Sequence, residues 1–589
     1  MRTESWQSYF PFLQTIRTYR KEDLRPDFVA SVTVALLEVP QAIAYAMIAG
    51  LPPVYGLYTS VVTGFVSALF NSSNHTVCGP NNAISIMVAS VWLSTADPAI
   101  RANPAAVVTM LTLLIGGIQI AFGLLKVGNL SQFVSRSVLT GFVSGAGLLI
   151  VVNQLPVLFG VSVPPAKHFL MQVGEFAVRL ADLNPNALGI GVLTILLAWS
   201  GKRWLPRWPA ALLAVVLAAG LVHFFQLAAE GVALIGNVPR GLPPFSMPSF
   251  SLAHLAGLAG PALAIAILSC INTLSISKGL GVASGQRVSS NQDFLGVGLA
   301  HFIGAFFSCM PGSGSFTRSA LNHQAGARTR LAGMLSALWV ATILLALGPL
   351  ARFIPATALA GLLVVLGMSL LDWDDIRVAL FATKSDAIVL VLTFACTLLL
   401  NLDTAIYVGV ISSLVLFLRK ASAPHLVEYD LEGDNFREIV DRKDRTHPGI
   451  SIIHVEGELF FGAAELFEDE VRRLANDPNI RVVILRMKNA RHLDATAVMA
   501  LQGLWKFLRD DQRLLLISGA TADVMRVLRG SGLLAQIGEE NCFPAEENLT
   551  AATRKALIRA QQFLGATVKP EVRVFYDETR AQQPKPAGS

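Results

Sequence analysis

Long apolar segments recur along most of this chain and constrain its fold more than any other feature. Runs of mainly apolar residues, long enough to cross about 30 Å of hydrocarbon as helices, follow one another from Phe28 to Leu418. The chain is 53% hydrophobic and only 15% charged, unlike a typical soluble domain. The segment up to Lys420 therefore predicts a polytopic membrane protein, and the remainder predicts a soluble domain.

Helix breakers divide the membrane part into fourteen predicted spans. These are 28–49, 54–70, 78–94, 105–125, 131–153, 187–200, 209–227, 258–277, 292–309, 315–327, 331–350, 355–371, 385–400 and 403–419. The segment "KHFLMQVGEFAVRLADL" mixes apolar and charged residues at helical spacing, which favours an external interfacial helix.

After the spans, strand and helix patterns alternate, which predicts a small cytoplasmic α/β domain. Its first segment, "GISIIHVEGELFF", predicts two short strands around Gly457. The predicted domains are a cytoplasmic N-terminal segment (1–27), a transmembrane transport domain (28–420), a linker (421–448), the α/β domain (449–565) and a tail (566–589), disordered from about 580.

Basic residues are sorted by side of the membrane. One set of alternate connections holds most of the Lys and Arg, whereas the other has only Arg101, Lys167, Arg179, Arg240 and Arg352. The positive-inside rule then predicts that both termini are cytoplasmic. The expected location is the inner (plasma) membrane of the cell. The sorting also explains the net charge of +6, so nucleic-acid binding is not expected.

Two spans open with helix breakers at corresponding places. The third span begins "CGPNNAISIMVAS" at Cys78, and the tenth follows "CMPGSGS" and continues "FTRSALNHQAGA". Each is the third span of a set of seven, which indicates two inverted repeats with a substrate site at the midplane. Helix N-termini carry unpaired N–H groups and partial positive charge, so two of them meeting there would bind an anion.

Two charged residues are predicted to lie deep within the apolar spans. Glu38 occurs in "ALLEVPQAIAYA", on one helical stripe with Gln41 and Tyr45. Because a charge at this depth is costly, Glu38 is a candidate proton-coupling residue and Arg318 its candidate partner. Two alternatives stay open: a structural carboxyl group at Glu38, and an arginine at position 318 that snorkels toward an interface.

The motifs resemble the SulP family of anion transporters, the solute carrier family that includes prestin and pendrin. "VPQAIAYAMIAGLPPVYGLYTS" resembles its signature around the first two spans, and "SSNQDFLGVGLAHFIGAFFSCMPGSGSFTRSALNHQAGARTRLAG" resembles its ninth and tenth spans. Residues 449–565 resemble the appended STAS domain. The resemblance implies two inverted seven-helix repeats arranged as core and gate domains, and a homodimer.

The resemblance also implies site residues. Gln41 and Tyr45 match anion-site positions of the first span, Thr317 and Arg318 match the start of the tenth helix, and Asn81 matches a position that is aromatic in prestin-like members. The predicted substrate-binding residues are Gln41, Tyr45, Asn81, Asn82, Ser315, Phe316, Thr317 and Arg318. Asparagine and serine here suit helix caps equally well.

Two positions depart from the family pattern. Asn272 stands where many members carry an acidic residue, a sodium ligand in the bicarbonate carriers, so sodium coupling is not expected. Asp494-Ala495-Thr496 places alanine where related anti-sigma antagonists carry a phosphorylated serine. The phosphoswitch is therefore expected to be lost, although Thr496 remains open to modification.

The predicted function is secondary active transport of a small anion, namely sulfate, bicarbonate or a dicarboxylate. Coupling to protons and alternating access are expected, with the anion between the N-termini of the third and tenth helices; the STAS domain is expected to regulate or dimerise. The alternatives are an uncoupled exchanger, a channel or a voltage-driven motor. An enzyme is not expected, since no nucleophile, base and orienting group come together. Cofactors, metal ions and catalytic residues are not predicted either.

Overall fold

A computed structural model of the chain describes residues 10–94, 104–128, 135–163, 169–204, 209–236, 241–248, 252–422, 425–432, 435–439, 449–475, 477–491, 493–548 and 550–565. It divides into two compact units, Met1–Leu414 and Val415–Ser589. The predicted tail over 566–589 lies outside the described residues.

The first half of the membrane unit consists of nine described helices and one short strand. They are α1 (Pro11–Thr18), α2 (Lys21–Ile48), α3 (Pro53–Phe70), β1 (Cys78–Gly79), α4 (Asn82–Ser94), α5 (Pro104–Leu124), α6 (Arg136–Phe159), α7 (Phe169–Val178), α8 (Pro185–Trp204) and α9 (Ala210–Phe224). The segment predicted to be an external helix thus contains α7.

The second half repeats this plan among the described residues. Its elements are α10 (Leu252–Ser284), α11 (Ser290–Gly304), β2 (Ser313–Gly314), α12 (Phe316–Gln324), α13 (Leu331–Leu347), α14 (Ala356–Ser369), α15 (Trp373–Ala382), α16 (Lys384–Leu399) and α17 (Leu402–Ala421). Each of the fourteen predicted spans contains a described helix. Within the described residues, eight segments are long and apolar enough to cross a membrane on their own.

The helices of this unit pack as two groups. In the first group, α5 packs along α11, α11 along α3, and α13 along both α2 and α3. In the second group, α6 packs along α14 and α16, and α8 packs along α9 and α14. These are the core and gate domains of an inverted-repeat membrane fold.

Two helices were not predicted from sequence. α1 lies in the N-terminal segment that was expected to precede the spans, and α2 already begins at Lys21. α15 lies between the twelfth and thirteenth spans, where Asp372 caps its first turn by accepting from the N–H groups of Asp374 and Asp375. Because the first turn of α15 is charged, length and hydropathy alone do not predict this helix.

The second unit contains a six-stranded sheet of order β4-β3-β5-β6-β7-β8. Its strands are β3 (His425–Glu432), β4 (Asn435–Glu438), β5 (Ile450–Glu458), β6 (Val482–Arg491), β7 (Leu514–Ala520) and β8 (Cys542–Pro544). β5 to β8 are parallel, and β3 is antiparallel to β4 and β5. The helices are α18 (Phe461–Ala475), α19 (Ala495–Asp510), α20 (Ala522–Gly530), α21 (Leu533–Ile537) and α22 (Ala551–Phe563).

Two sequence predictions for this unit differ from the structure. The segment predicted to be a linker, 421–448, contains β3 and β4, which extend the sheet beyond β5. The prediction of two strands around Gly457 was wrong, because β5 continues through that residue. The register of β5 on β6 shifts between His454 and Glu456, which lets the strand continue through Gly457 at φ 115°.

Candidate functional site

Two short strands bring the two interrupted spans together. β1 pairs antiparallel with β2, so that Cys78 lies opposite Gly314 and Gly79 lies opposite Ser313. The strands approach so closely that a Cβ atom at Gly312 would lie 2.2 Å from the carbonyl oxygen of Gly79. Because α4 and α12 begin soon after these strands, their N-termini lie side by side.

Polar side chains of α10 and α11 satisfy the non-helical backbone before α12. The N–H of Gly312 donates to Nε2 of His301 at 2.9 Å, and the hydroxyl of Ser269 donates to the carbonyl oxygen of Gly312 at 2.8 Å. The N–H of Gly314 donates to Oγ1 of Thr273 at 2.8 Å. Irregular backbone at membrane depth is tolerated only when its polar groups find such partners.

An ion pair lies beside these helix N-termini. Arg318 donates through Nη1 to Oε1 of Glu38, and through Nη2 to the carbonyl oxygen of Pro80 at 2.8 Å. The two side chains are 0% and 2% exposed. Nε of Arg318 and Oε1 of Gln41 have no hydrogen-bond partner among the described residues. An unpaired buried polar group is costly, so each of these two atoms lacks the partner that its burial calls for.

Gly79 allows the ion pair to lie against the backbone of β1. A Cβ atom built there would lie 2.8 Å from Nη1 of Arg318 and 3.0 Å from Oε1 of Glu38. Only a hydrogen atom fits in this position without displacing one of the two charged groups. The glycine therefore belongs to the site, although it contributes no side chain.

Two predicted site residues, Ser315 and Asn81, act as helix caps in this structure, and Asn82 is the first residue of α4. Oγ of Ser315 accepts from the N–H of Arg318 at 3.5 Å, at the start of α12. Both Asn81, through Oδ1 at 3.0 Å, and Asn82, through Oδ1 at 2.8 Å, accept from the N–H of Ala83. The sequence left capping open for these residues, and the contacts of Ser315 and Asn81 show that role.

The other predicted residues surround the same place with different exposure. Gln41 and Tyr45 are buried on α2, 3% and 6% exposed, along the stripe that carries Glu38. The side chains of Phe316 and Thr317 are exposed in the first turn of α12. A substrate role for these four residues remains a prediction.

Sequence reasoning missed Gly79, the carbonyl oxygen of Pro80, His301, Ser269 and Thr273. A Gly-Pro pair opening an apolar span was the available signal for the first two. No local sequence pattern identifies His301, Ser269 and Thr273, because each contacts a backbone group of a segment outside its own helix.

In the second unit, Asp494 joins two helices. Its Oδ1 accepts from the N–H of Ala497 at 2.9 Å, capping α19, and its Oδ2 accepts from the N–H of Phe461 at 2.7 Å, at the start of α18. Thr496 is exposed in the first turn of α19. The aspartate of the Asp-Ala-Thr segment thus has a structural role here.

The paired helix N-termini, the intramembrane ion pair and the two packing groups define an inverted-repeat membrane transporter. Residues 24–393 match the sulfate permease family, and residues 442–549 match the STAS domain. The chain belongs to the sulfate permease family, so it is an anion transporter and not an enzyme.

The relatives match over nearly the whole chain. "Sulfate transporter 4.1, chloroplastic" of Arabidopsis thaliana is 31% identical over 565 residues, covering 92% of this chain and 82% of the relative. A probable sulfate transporter of Mycobacterium tuberculosis is 29% identical over 551 residues, covering 92% of this chain and 98% of that protein.

Solved structures share the fold. Murine solute carrier 26 family member A9, an anion transporter in the inward-facing state, has a TM-score of 0.86 at 21% identity, covering 94% of each chain. The transmembrane domain of the cyanobacterial bicarbonate transporter BicA has a TM-score of 0.59 at 25% identity, covering 67% of this chain and 98% of that domain.

Proposed function

We propose that this protein is a proton-coupled transporter of a small oxyanion, with sulfate the foremost candidate and bicarbonate or a dicarboxylate the alternatives. The anion would bind between the N-termini of α4 and α12, at the midplane of the membrane. The observation that carries this proposal is the buried Glu38–Arg318 ion pair beside those N-termini.

The ion pair links anion binding to proton binding. An anion that accepts from Arg318 would lie close to Glu38, and two like charges about 4 Å apart repel by about 4 kcal/mol at an effective dielectric constant of about 20. Protonation of Glu38 removes this repulsion. A protonated Glu38 without an anion, however, would leave Arg318 as an uncompensated buried charge. Each ligand thus favours the other, which is the thermodynamic basis of symport.

Two further observations support protons and sulfate. Asn272, half-buried on α10, cannot provide the carboxylate that sodium coupling at that position would use. Two of the relatives described above carry sulfate in their names, and the BicA domain belongs to a bicarbonate transporter. Helix N-termini and one guanidinium accept many oxyanions, so the chemistry of the site does not choose among them.

Alternating access would move the core group against the gate group. An apolar cavity of about 400 Å³ lies between them, lined by Val39 and Leu57 of the core and by Leu212, Val216 and Ala219 of the gate. Apolar contacts impose few directional bonds on such a movement. We further propose a homodimer in the plasma (inner) membrane with cytoplasmic termini, in which the STAS domain regulates transport or contributes to dimerisation.

Uptake of labelled sulfate, bicarbonate and dicarboxylates into proteoliposomes, with and without an inward proton gradient, tests this function. A proton-coupled transporter accumulates its substrate in response to the gradient when the membrane potential is clamped. An uncoupled exchanger would respond only to an anion inside, and a channel or voltage-driven motor would give currents or charge movement without proton dependence. Either result would refute symport.

A further inference from the structure

A polar cavity of about 530 Å³ lies at the end of the core group where the charge distribution predicts the cytoplasmic connections. It is enclosed by α1, by the segment after α3, by the end of α5 and by the connection between α10 and α11. Among the described residues, its charged lining consists of Lys126, Arg287 and Arg330, with no acidic side chain. The described lining therefore carries three positive charges.

Arg330 is the buried charge of this cavity, with only 6% of the residue exposed. Its Nε donates to Oγ1 of Thr15 at 2.8 Å, its Nη1 to the carbonyl oxygen of Asn71 at 2.5 Å, and its Nη2 to Oδ1 of Asn74 at 3.2 Å. These three acceptors are all uncharged, and a guanidinium has five N–H groups. Two N–H groups of Arg330 thus make no hydrogen bond within the part of the chain that the structure describes.

The nearby carboxylate of Asp293 forms hydrogen bonds to Ser72 through Oδ1, whereas its Oδ2 has no hydrogen-bond partner among the described residues. Its Oδ1 accepts from the backbone N–H of Ser72 at 2.7 Å and from the Ser72 hydroxyl at 2.8 Å. No salt bridge joins it to Arg330 in the part of the chain that the structure describes. The charge of Asp293 acts on Arg330 without a direct contact, so among the described residues the N–H groups of Arg330 donate only to uncharged acceptors.

The wall of the cavity is held in place by side-chain hydrogen bonds. Gln286 accepts from the N–H of Asn74 at 2.9 Å and donates to the carbonyl oxygen of Ser72 at 2.9 Å. The N–H of Ser289 donates to Oγ of Ser72 at 3.0 Å. These bonds tie the segment after α3 to the α10–α11 connection, so the three basic residues are presented by a built surface.

We propose that this cavity binds the phosphate group of an anionic ligand, supplied either by a lipid headgroup of the cytoplasmic leaflet or by a soluble phosphate. Arginine and lysine together suit a phosphate, because the guanidinium donates two parallel hydrogen bonds and the ammonium adds a point charge. A volume of about 530 Å³ accommodates a phosphorylated headgroup rather than a bare ion alone.

The exposed face of α1 favours the lipid source. Leu13 and Ile16 are 39% and 68% exposed on this helix, which also carries Arg17, whereas Thr15 faces Arg330. A short helix with exposed apolar residues and a cation is typical of the membrane interface. A bound headgroup would fasten α1 to the core group and thereby bias the movement of that group during transport.

The test uses the full-length protein in two arms. In the first, native mass spectrometry measures retention of phosphatidic acid by protein reconstituted in phosphatidylcholine nanodiscs; in the second, calorimetry measures binding of inorganic phosphate in detergent. The test variant is Lys126→Ala/Arg287→Ala, which leaves the buried Arg330 intact. The matched control, Arg377→Ala/Lys384→Ala, removes the same charge from exposed positions outside the cavity.

Loss of each charge-assisted contact is expected to weaken binding about 10-fold or more in the cavity variant, with the control unchanged. Dependence on the cavity in the lipid arm supports a headgroup, and the same dependence in the phosphate arm alone supports a soluble ligand. Equal weakening in both variants, or no binding of either probe by the wild type, would overturn the proposal. Arg318→Ala should leave this binding intact, which separates it from the transport site.

Discussion

Glu38 and Arg318 are 280 residues apart in the sequence, yet they form an ion pair whose side chains are 2% and 0% exposed. Separating such a pair without replacement leaves charges buried, which costs several kcal/mol. Any step of transport that separates the two residues must therefore supply a negative group to Arg318 and a proton to Glu38.

Glu38→Gln is expected to abolish the acceleration of anion uptake by an inward proton gradient, because glutamine keeps the size of the side chain but carries no titrating proton. Binding and exchange of the anion should persist in part. Uptake into proteoliposomes at several external pH values measures this. Asp403→Asn removes a carboxylate at the start of α17 and serves as the control. Identical pH dependence in wild type and Glu38→Gln would exclude the proton role.

Arg318→Ala is expected to weaken anion binding without abolishing it, since the helix N-termini remain. Truncating one member of a buried charge pair costs ~2 to 5 kcal/mol, or about 30-fold to several thousand-fold in Kd. Arg318→Lys should recover only part of this loss, because lysine lacks the planar fork. Calorimetry with the transported anion measures the effect, with the exposed Arg352→Ala as control. Unchanged affinity in Arg318→Ala would show that the anion site lies elsewhere.

Gly79→Ala is expected to displace the ion pair, because the new methyl group would lie 2.8 Å from Nη1 of Arg318. Overpacking of this kind costs ~1 to 3 kcal/mol of stability. Because the methyl group displaces Arg318 from its position, anion affinity is also expected to fall. Gly117→Ala on α5 is the matched control, since a methyl group there meets nothing within 4 Å. Equal affinities for the two variants would contradict the contact between Gly79 and the ion pair.

The pairing of Glu38 with Arg318 was predictable because each is a charged residue in an apolar span and each requires a partner. The meeting of α4 and α12 was also predictable, since Gly and Pro open both spans at equivalent places. The roles of Asn81 and Asn82 could not be predicted from the sequence, because the same amide group can cap a helix or contact an anion.

Other features depend on tertiary contacts that leave no local pattern. β3 and β4 lie in a charged segment with little apolar periodicity; β3 is a strand because it pairs with the edge of β5, and β4 because it pairs with β3. His301 belongs to the site only because the chain folds back to place Gly312 against it. The strands β3 and β4 and the role of His301 therefore depend on tertiary contacts that composition and spacing do not predict.

His301 is expected to act as a positioning residue for the backbone before α12. Since Nε2 accepts from Gly312, the proton lies on Nδ1, which donates to Oε1 of Gln119 at 2.7 Å. His301→Ala leaves the Gly312 N–H unpaired, at a cost of ~1 to 3 kcal/mol. We expect lower thermal stability and weaker anion binding in His301→Ala, measured by scanning fluorimetry and calorimetry.

The conservative variant separates positioning from bulk packing. His301→Gln offers an amide oxygen to Gly312 and should restore much of the anion affinity, whereas His301→Leu, similar in size but without an acceptor, should not. His223→Ala, an exposed histidine at the end of α9, should change neither quantity. Equal affinities for His301→Gln and His301→Leu would refute a role through the hydrogen bond.

His454 gives the second unit a pH-dependent stability. Burial and the neighbouring Arg486 guanidinium, 3.0 Å from Nδ1, hold the pKa of His454 below its ordinary value of 6.5, although Glu456, 3.0 Å from Nε2, opposes them. Asn489 contacts the same ring edge, and the Tyr429 ring lies 5.7 Å from it. The folded state therefore favours neutral His454, whereas the unfolded chain titrates near 6.5.

The free energy of unfolding of the second unit is expected to depend on pH through His454. Between the lowered pKa and about 6.5, the unfolded chain binds more protons than the folded one, so the free energy of unfolding decreases as the pH falls through that window. Hydrogen exchange of β5 and β6 in the full-length protein, corrected for intrinsic rates, should be faster at about pH 5.5 than at about pH 7.5. His454→Gln should remove this difference. Arg486→Met should reduce the difference in exchange rate between the two pH values, because loss of the guanidinium raises the pKa of His454. If His454→Gln kept the full pH dependence, the effect would belong to other groups.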